Sequence, residues 1–379
     1  MRKDLLKVYQ YKRLIRDYVD NYEKKQIDLG GRRMYSFKND YSEGAHPNIL
    51  ESLLKTNMEQ TSGYGEDAYT EEAKSLIKKH IGREDVDVHF LVGGTQTNMT
   101  AISAFLRAHE AALAAHTGHI AVHETGAIEA TGHKVLTAEV EDGKLTVTHI
   151  KKLVESHTDE HMVKPKLVYI SNSTEVGTIY YKEELEAISE YCKSKGLLLF
   201  MDGARLGSAL MAKDNDVTLN DLARLTDAFY IGGTKNGALM GEALVIVNES
   251  LKEDFRYFIK QRGGLLAKGR LLAINFIELF KENLFFELAE HANQMAMQLK
   301  EGIEKAGYCF LTESTTNQIF PIFPNEFLNV LSSHYKFEIW EAVDDKQTAI
   351  RLVTSWATKE DEVIKFNQYL HDKEGKRES

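Results

Sequence analysis

The sequence predicts an α/β fold: a mostly parallel sheet covered by helices on both faces, followed by a smaller α+β unit. Three observations carry that prediction. From Val86 onward, strand-like and helix-like patterns alternate along the chain. Strand runs such as Leu197-Leu198-Leu199-Phe200-Met201 are continuously apolar rather than alternating, which marks strands buried on both faces. After about residue 249 the alternation gives way to long helical stretches and short strands. At 379 residues the chain is long enough for two or three folding units. They divide as an N-terminal helix and arm over 1–38, a large domain over 39–249 and a small C-terminal domain over 250–379.

Val8, Tyr11, Ile15, Tyr18 and Tyr22 recur at helical spacing with charges between them, so 3–26 is expected to be an amphipathic helix that needs a partner surface. Residues 39–47 form a loop, and a helix follows over about 48–55. A strand over 88–92 leads through Gly93-Gly94 into a helix over 95–107. The pattern then predicts a strand over 119–123, a helix after Thr125, and strands over 134–139 and 166–171. A helix over 182–194 precedes the strand 197–201. Residues 227–231 and 243–247 read as two strands closely joined across the loop that carries Lys235. In the second unit a helix ends near Gln261, and a long helical stretch covers roughly 272–306. Short strands at 318–323, 337–342 and 348–353 and a helix over 359–371 complete the chain.

Composition narrows the function classes. With 43% hydrophobic and 27% charged residues the chain is an ordinary globular protein. A net charge of −10, with no long Lys/Arg cluster to offset it, argues against a nucleic-acid partner. No run approaches the ~18 apolar residues of a membrane span. The N-terminus lacks a signal-peptide core, and the two cysteines, Cys192 and Cys309, make no motif and fit a reducing compartment; the expected location is the cytoplasm.

Two segments carry the chemistry. Lys235 stands in Tyr-Ile-Gly-Gly-Thr-Lys-Asn-Gly (230–237), and Asp202-Gly203-Ala204-Arg205 directly follows the apolar run 197–201. Alone, the first is a turn with an exposed lysine and the second a loop start. Together, each after a buried strand, they suit pyridoxal phosphate, which condenses with a lysine amine and needs a carboxylate to keep its ring nitrogen protonated. Gly93-Gly94-Thr95-Gln96 joins a strand to a helix, and free N–H groups at a helix N-terminus suit a phosphate. A Gly-Gly entry with a threonine cap is also a common structural device, and the segment lacks the Walker and dinucleotide spacings. His119, His123, Glu124 and His133 raise a metal site, but with no distant matching cluster the better reading is a histidine stacked on an aromatic cofactor. Arg351, within the apolar strand Ile350-Arg351-Leu352-Val353, is either paired structurally or reaches a ligand carboxylate through its fork.

These motifs, together with Tyr64-Gly65-Glu66-Asp67 and Arg351-Leu-Val-Thr, resemble the threonine aldolase and β-eliminating lyase family from about Asn39 to Trp356. The His-Glu-Thr-Gly-Ala run is shared with its low-specificity L-threonine aldolase branch. The resemblance implies the fold-type I pyridoxal-phosphate architecture, with a mostly parallel seven-stranded sheet between helices and a smaller α+β domain. It implies that Lys235 binds the cofactor covalently, Asp202 pairs with its ring nitrogen, and His119 stacks on its face. Gly94, Thr95, Gln96 and Thr234 match phosphate ligands. Arg205 and Arg351 match arginines near the substrate carboxylate, and Asn39 stands where a serine also touches it. Tyr64 matches a residue reaching the neighbouring subunit's site, and one basic side chain of 260–268 crosses the same interface. A homodimer is therefore the minimum assembly, and a homotetramer is compatible.

The chain departs from the family where a histidine often follows the mid-domain strand: here the segment is Ser171-Asn172-Ser173-Thr174-Glu175. The base for the substrate hydroxyl then passes to His119, Glu124, Glu175 or water. The expected reaction is retro-aldol cleavage of L-threonine or L-allo-threonine to glycine and an aldehyde. The alternatives are a β-eliminating lyase acting on a 3-substituted amino acid and a non-catalytic protein that kept the fold.

Overall fold

The computed structural model describes residues 34–374; the helix expected over 3–26 lies outside them. A short strand β1 (Tyr35–Ser36) leads into the central sheet, which comprises β2 (Asp87–Leu91), β3 (Glu110–Ala115), β4 (Val135–Ala138), β5 (Lys164–Ser171), β6 (Leu198–Asp202), β7 (Ala228–Gly232) and β8 (Glu242–Ile246). These form one seven-stranded sheet in the order β2-β8-β7-β6-β5-β3-β4. All neighbours from β7 to β4 are parallel, while β8 runs antiparallel to both β7 and β2. Every residue of β3, β6, β7 and β8 is buried, as continuously apolar strands between two helical layers must be. Among the described residues no helix is long and apolar enough to cross a membrane.

Two sequence expectations are corrected. The strand expected over 119–123 is a one-turn helix, His119–Val122, and the sheet strand lies earlier in Glu-Ala-Ala-Leu-Ala-Ala. Alanine-rich runs favour helix locally, but between β5 and β4 the whole segment is buried and its small side chains pack. The long helix expected over 272–306 is two helices, Arg270–Phe280 and Leu284–Lys305, broken where Asn283 adopts a φ of 62°. The helix Ala68–Ile81, absent from the sequence reading, starts where Asp67 accepts the Thr70 N–H at 2.9 Å and ends at left-handed Gly82.

The parallel strands end at one edge. There Ser171, Asp202 and Gly232 terminate β5, β6 and β7, and Leu91 of β2 lies opposite Glu242, the first residue of β8. That edge is where open α/β sheets bind ligands. A second sheet of β9 (Gln318–Ile319), β10 (Ile322–Pro324), β12 (Glu338–Ala342) and β13 (Gln347–Val353) is antiparallel, and β11 (Tyr335–Lys336) pairs instead with β1. Phe37 follows β1 into the core around the second sheet, against Tyr335 and Phe366, and its carbonyl accepts from Val353 N at 2.8 Å. This stitch brings Asp40 and Tyr41 toward the strand that carries Arg351.

Candidate active site

The carboxyl edge of the central sheet opens into a cavity of about 430 Å³. Asp202 stands at its floor, only 4% exposed. Its Oδ2 accepts from Asn98 Nδ2 at 3.1 Å and from the Tyr169 hydroxyl, and its Oδ1 accepts from Ala204 N at 2.9 Å. Burial alone would raise its pKa; the His119 charge and the Tyr169, Tyr230 and Ala204 hydrogen bonds outweigh it and hold the carboxyl below its usual range. The turn after Asp202 needs Gly203, because a Cβ there would lie 1.8 Å from the Tyr230 carbonyl oxygen.

His119 begins its short helix on the opposite wall. Its Nδ1 lies 2.8 Å from Glu124 Oε1, and its backbone N–H donates to Glu175 Oε1 at 3.1 Å. Burial opposes protonation, but Glu124 and Asp202 together raise the imidazole pKa. Glu124 in turn accepts from Asn98 Nδ2 at 2.8 Å, so one amide ties the His119–Glu124 pair to Asp202. His123 also lines the cavity; burial and the charges of His119, Arg351, Lys235 and Arg205 lower its pKa.

Lys235 enters from the β7–β8 connection. Gly233 N and Thr234 N both donate to the Gly241 carbonyl, at 3.0 and 3.1 Å, and close this loop. Desolvation and the nearby Arg205 lower the ammonium pKa, against the opposing pull of Asp40 and Asp202. The two arginines differ sharply. Arg205 is held by Asp40 through Nε at 2.7 Å and a second nitrogen at 3.1 Å. Arg351 lies over the Trp340 ring at 5.4 Å, and its buried Nε has no hydrogen-bond partner among the described residues. Burial and then Arg205 lower its pKa, and the charges of Asp40 and Glu338 only partly offset them.

A family model for beta-eliminating lyases matches residues 40–325, most of the chain and every cavity wall except Arg351. The chain belongs to the beta-eliminating lyase family. Curated relatives include the low-specificity L-threonine aldolase of Pseudomonas aeruginosa, 34% identical over 70% of this chain and 77% of that protein. The enzyme of the same name from a Pseudomonas sp. is 36% identical over 69% of this chain and 76% of its own. Among solved structures, a threonine aldolase from Leishmania major is 53% identical, covers 90% of this chain and 99% of that one, and superposes with a TM-score of 0.89. An aspartate aminotransferase from Thermus thermophilus, 15% identical with a TM-score of 0.66, shares the fold.

Within this lyase-family fold, Gly94, Thr95, His119, Asp202, Arg205, Thr234, Lys235 and Arg351 line a single cavity. Three other sequence-selected residues do not. Gln96 accepts from Val92 N and donates to the Arg262 carbonyl, both at 3.2 Å, tying the 260–268 loop to the Gly-Gly-Thr turn. Asn39 accepts from Tyr41 N at 3.1 Å and Ser42 Oγ at 2.9 Å, shaping the turn that carries Asp40. Tyr64 is 45% exposed at a separate surface hollow, with the Lys260 ammonium 4.7 Å above its ring. Thr174 closes its own turn with the Thr178 hydroxyl at 2.7 Å and does not line the cavity, whereas Glu175 does. Among the described residues no cluster of His, Cys, Asp or Glu is arranged to hold a metal ion.

Sequence reasoning passed over Asp40, Asn98, Tyr169, Tyr230 and Glu242, and raised His123 only within a candidate metal cluster. Tyr169 and Tyr230 carried a readable signal, since a phenol in the middle of an apolar strand needs a partner. Asn98, one helical turn after Gly94 and fully buried, carried a similar one. Asp40 carried none, because nothing local announces an ion pair 165 positions away.

Proposed function

We propose that this protein is a pyridoxal-phosphate-dependent lyase that cleaves L-threonine, L-allo-threonine and related 3-hydroxy-amino acids to glycine and an aldehyde. The observation that carries this reading is the meeting of buried Asp202, Lys235 with its lowered pKa, the His119 ring and Arg351, whose Nε has no hydrogen-bond partner among the described residues, in one cavity. The 53% identity to a threonine aldolase over nearly the whole chain supports it.

The residues fit the cofactor. The volume suits a small ligand. At Gly94, a Cβ would lie 3.1 Å from the Tyr230 hydroxyl and crowd the turn, so the bare backbone there leaves room for a phosphate at the start of the helix Gly94–Phe105. Lys235 would hold the cofactor through its amine, Asp202 its ring nitrogen, His119 its face, and Gly94, Thr95 and Thr234 its phosphate. When bound, the cofactor supplies the electron sink for carbon–carbon cleavage next to an amine.

The chain's own residues supply the rest. Arg351 offers its fork to the substrate carboxylate, and Arg205, oriented by Asp40, adds the second positive charge. This grip sets which bond at Cα faces the cofactor plane. His123 takes the proton of the 3-hydroxyl: it lines the cavity, and its surroundings keep the imidazole neutral and able to accept. Thr174, facing its own turn, has no part in that transfer. Leu50, Leu54, Leu239, Met240 and Leu271 are exposed apolar side chains that a second copy could bury, which supports a homodimer or a larger homo-oligomer.

The decisive experiment measures products from L-threonine, L-allo-threonine and L-phenylserine with cofactor supplied. Glycine and aldehyde in equal amounts are expected; ammonia and a keto acid instead would replace the reading with β-elimination. Arg351→Ala is expected to lower kcat/KM by a factor of roughly 10–150, mainly through KM, the about 1.5–3 kcal/mol of a hydrogen bond to a charged group. An unchanged KM would remove Arg351 from the carboxylate site. His123→Phe is expected to lower kcat about 10²–10⁴-fold with little change in KM. Because the His123 pKa is depressed, the wild-type rate should fall only as pH drops below the usual histidine range, and the variant should lose that limb. A variant that keeps the wild-type pH profile would exclude His123 as the base.

A further inference from the structure

We infer that Glu242 lies in the floor of the phosphate cradle as a neutral carboxylic acid and that its O–H donates a hydrogen bond to a phosphate oxygen of the bound cofactor. The inference rests on the reading of this cavity as a pyridoxal-phosphate site. It starts from the direction of β8. Because that strand runs antiparallel to both neighbours, its first residue stands in register with Leu91 of β2 and Gly232 of β7. Two loops leave the sheet at those points: Val92-Gly93-Gly94-Thr95 from β2, and Gly233-Thr234-Lys235 from β7. Both line the cavity, and Glu242 lines it between them. Glu242 is therefore an acid at the place where these two loops would hold an anion.

Its environment gives it no ion pair among the described residues, although the Lys235 charge favours its ionised form. Glu242 is 4% exposed, its Oε2 accepts from Gly233 N at 3.1 Å, and the Thr234 hydroxyl lies beside it. The charged and titratable groups facing it are Lys235 from its own hairpin, Asp202 from β6 and Tyr230 from β7. No lysine or arginine forms an ion pair with it among the described residues. A carboxylate and a phosphate dianion at close range repel strongly in a partly desolvated site. The acid form instead offers an O–H donor, and an O–H to a charged oxygen is among the stronger hydrogen bonds. Burial first, and then Asp202, push the Glu242 carboxyl up to about 8, so the acid form prevails at neutral pH before any phosphate arrives. A bound dianion would favour the acid further.

The sign of the pH effect follows. A group that binds phosphate only when protonated lends its contribution below its own pKa and withdraws it above. Cofactor affinity should weaken as pH rises, because only the protonated fraction of the apoenzyme is competent. Glu242→Gln keeps a donor at every pH and should not share the loss.

The experiment titrates the full-length apoenzyme, wild type and Glu242→Gln, with pyridoxal 5′-phosphate and with unphosphorylated pyridoxal, reading binding by fluorescence between about pH 7 and pH 9. Relative to Glu242→Gln, wild-type Kd for the phosphorylated ligand is expected to rise about tenfold across that range, with no divergence for pyridoxal. A wild-type-to-variant ratio that is flat in pH, or one that diverges equally for pyridoxal, would overturn the inference and leave Glu242 a structural acceptor for Gly233 N. If the variant fails to fold, the wild type alone suffices. The phosphate is fully ionised above about pH 7.5, having a second pKa near 6, so the pyridoxal-to-phosphate affinity ratio must still shift about tenfold. No binding of the phosphorylated ligand to either protein overturns the cofactor reading and this inference with it.

Discussion

Replacing Lys235 with Ala is expected to abolish the visible absorbance of the bound cofactor and to lower kcat by about four orders of magnitude or more, about 5.5 kcal/mol at 1.36 kcal/mol per tenfold. The effect should be chemical, because the loop does not depend on this side chain. Gly233 N and Thr234 N donate to Gly241, Asn236 N donates to Gly233 at 2.9 Å, and Asn236 Nδ2 donates to the Phe285 carbonyl at 2.7 Å. None of these bonds uses the lysine amine. The variant should therefore melt within about 1 kcal/mol of wild type, as expected where no buried network is broken. Desolvation and Arg205 lower the Lys235 pKa, which keeps more of the amine unprotonated and nucleophilic near neutrality than an exposed lysine would have. An absorption spectrum and a thermal melt on the same sample decide the matter. A visible band that persists in Lys235→Ala would remove this residue from its role.

Asp202→Asn is the second large effect. Asparagine keeps the size of the side chain and an oxygen to accept from Asn98, Tyr169 or Ala204, so the cavity floor should survive. What it cannot supply is negative charge opposite a protonated ring nitrogen. Removing one member of a buried charge pair costs about 3–5 kcal/mol, which predicts a fall in kcat of roughly 10²–10⁴ with cofactor still bound. Asp202→Ala should be worse, since it strands several donors as well, at about 1–3 kcal/mol for each buried group left unsatisfied. A second readout is independent of turnover. Asp202 raises the His119 pKa, so in Asp202→Asn the His119 imidazole should titrate at lower pH than in wild type. Full activity in Asp202→Asn, or an unmoved His119 titration followed by NMR, would show that the carboxylate does not carry the charge argued for it.

The strand runs of β5, β6, β7 and β8 were legible because burial on both faces writes itself into consecutive residues. The β3 run, Glu-Ala-Ala-Leu-Ala-Ala, was not, because its place in the sheet follows from neighbours that have no local signature. The break at Asn283 was missed for a related reason. Apolar periodicity continues through it, and only packing separates the helix Arg270–Phe280 from Leu284–Lys305. The strand expected over 119–123 fails in its geometry, yet both His119 and His123 line the cavity. Positions i and i+4 share a face of a helix as well, and here His119 and His123 lie with ring centroids 5.5 Å apart.

By itself the sequence determined the α/β class, the apolar strands, and the placing of Asp202 and Lys235 at and just after the ends of buried strands. These are local properties, set by periodicity and by the turn residues that follow a buried strand. Only the tertiary structure decided that Arg205 is held by a carboxylate while Arg351 lies over an aromatic ring. The Asp40 fork on Arg205 spans 165 positions, and Arg351 comes from a different sheet. The same holds for Glu242, an ordinary acid at the start of an apolar strand until the antiparallel run of β8 sets it between two cavity loops. Charge, burial and ion pairing are properties of a place, and a place exists only once distant segments have met.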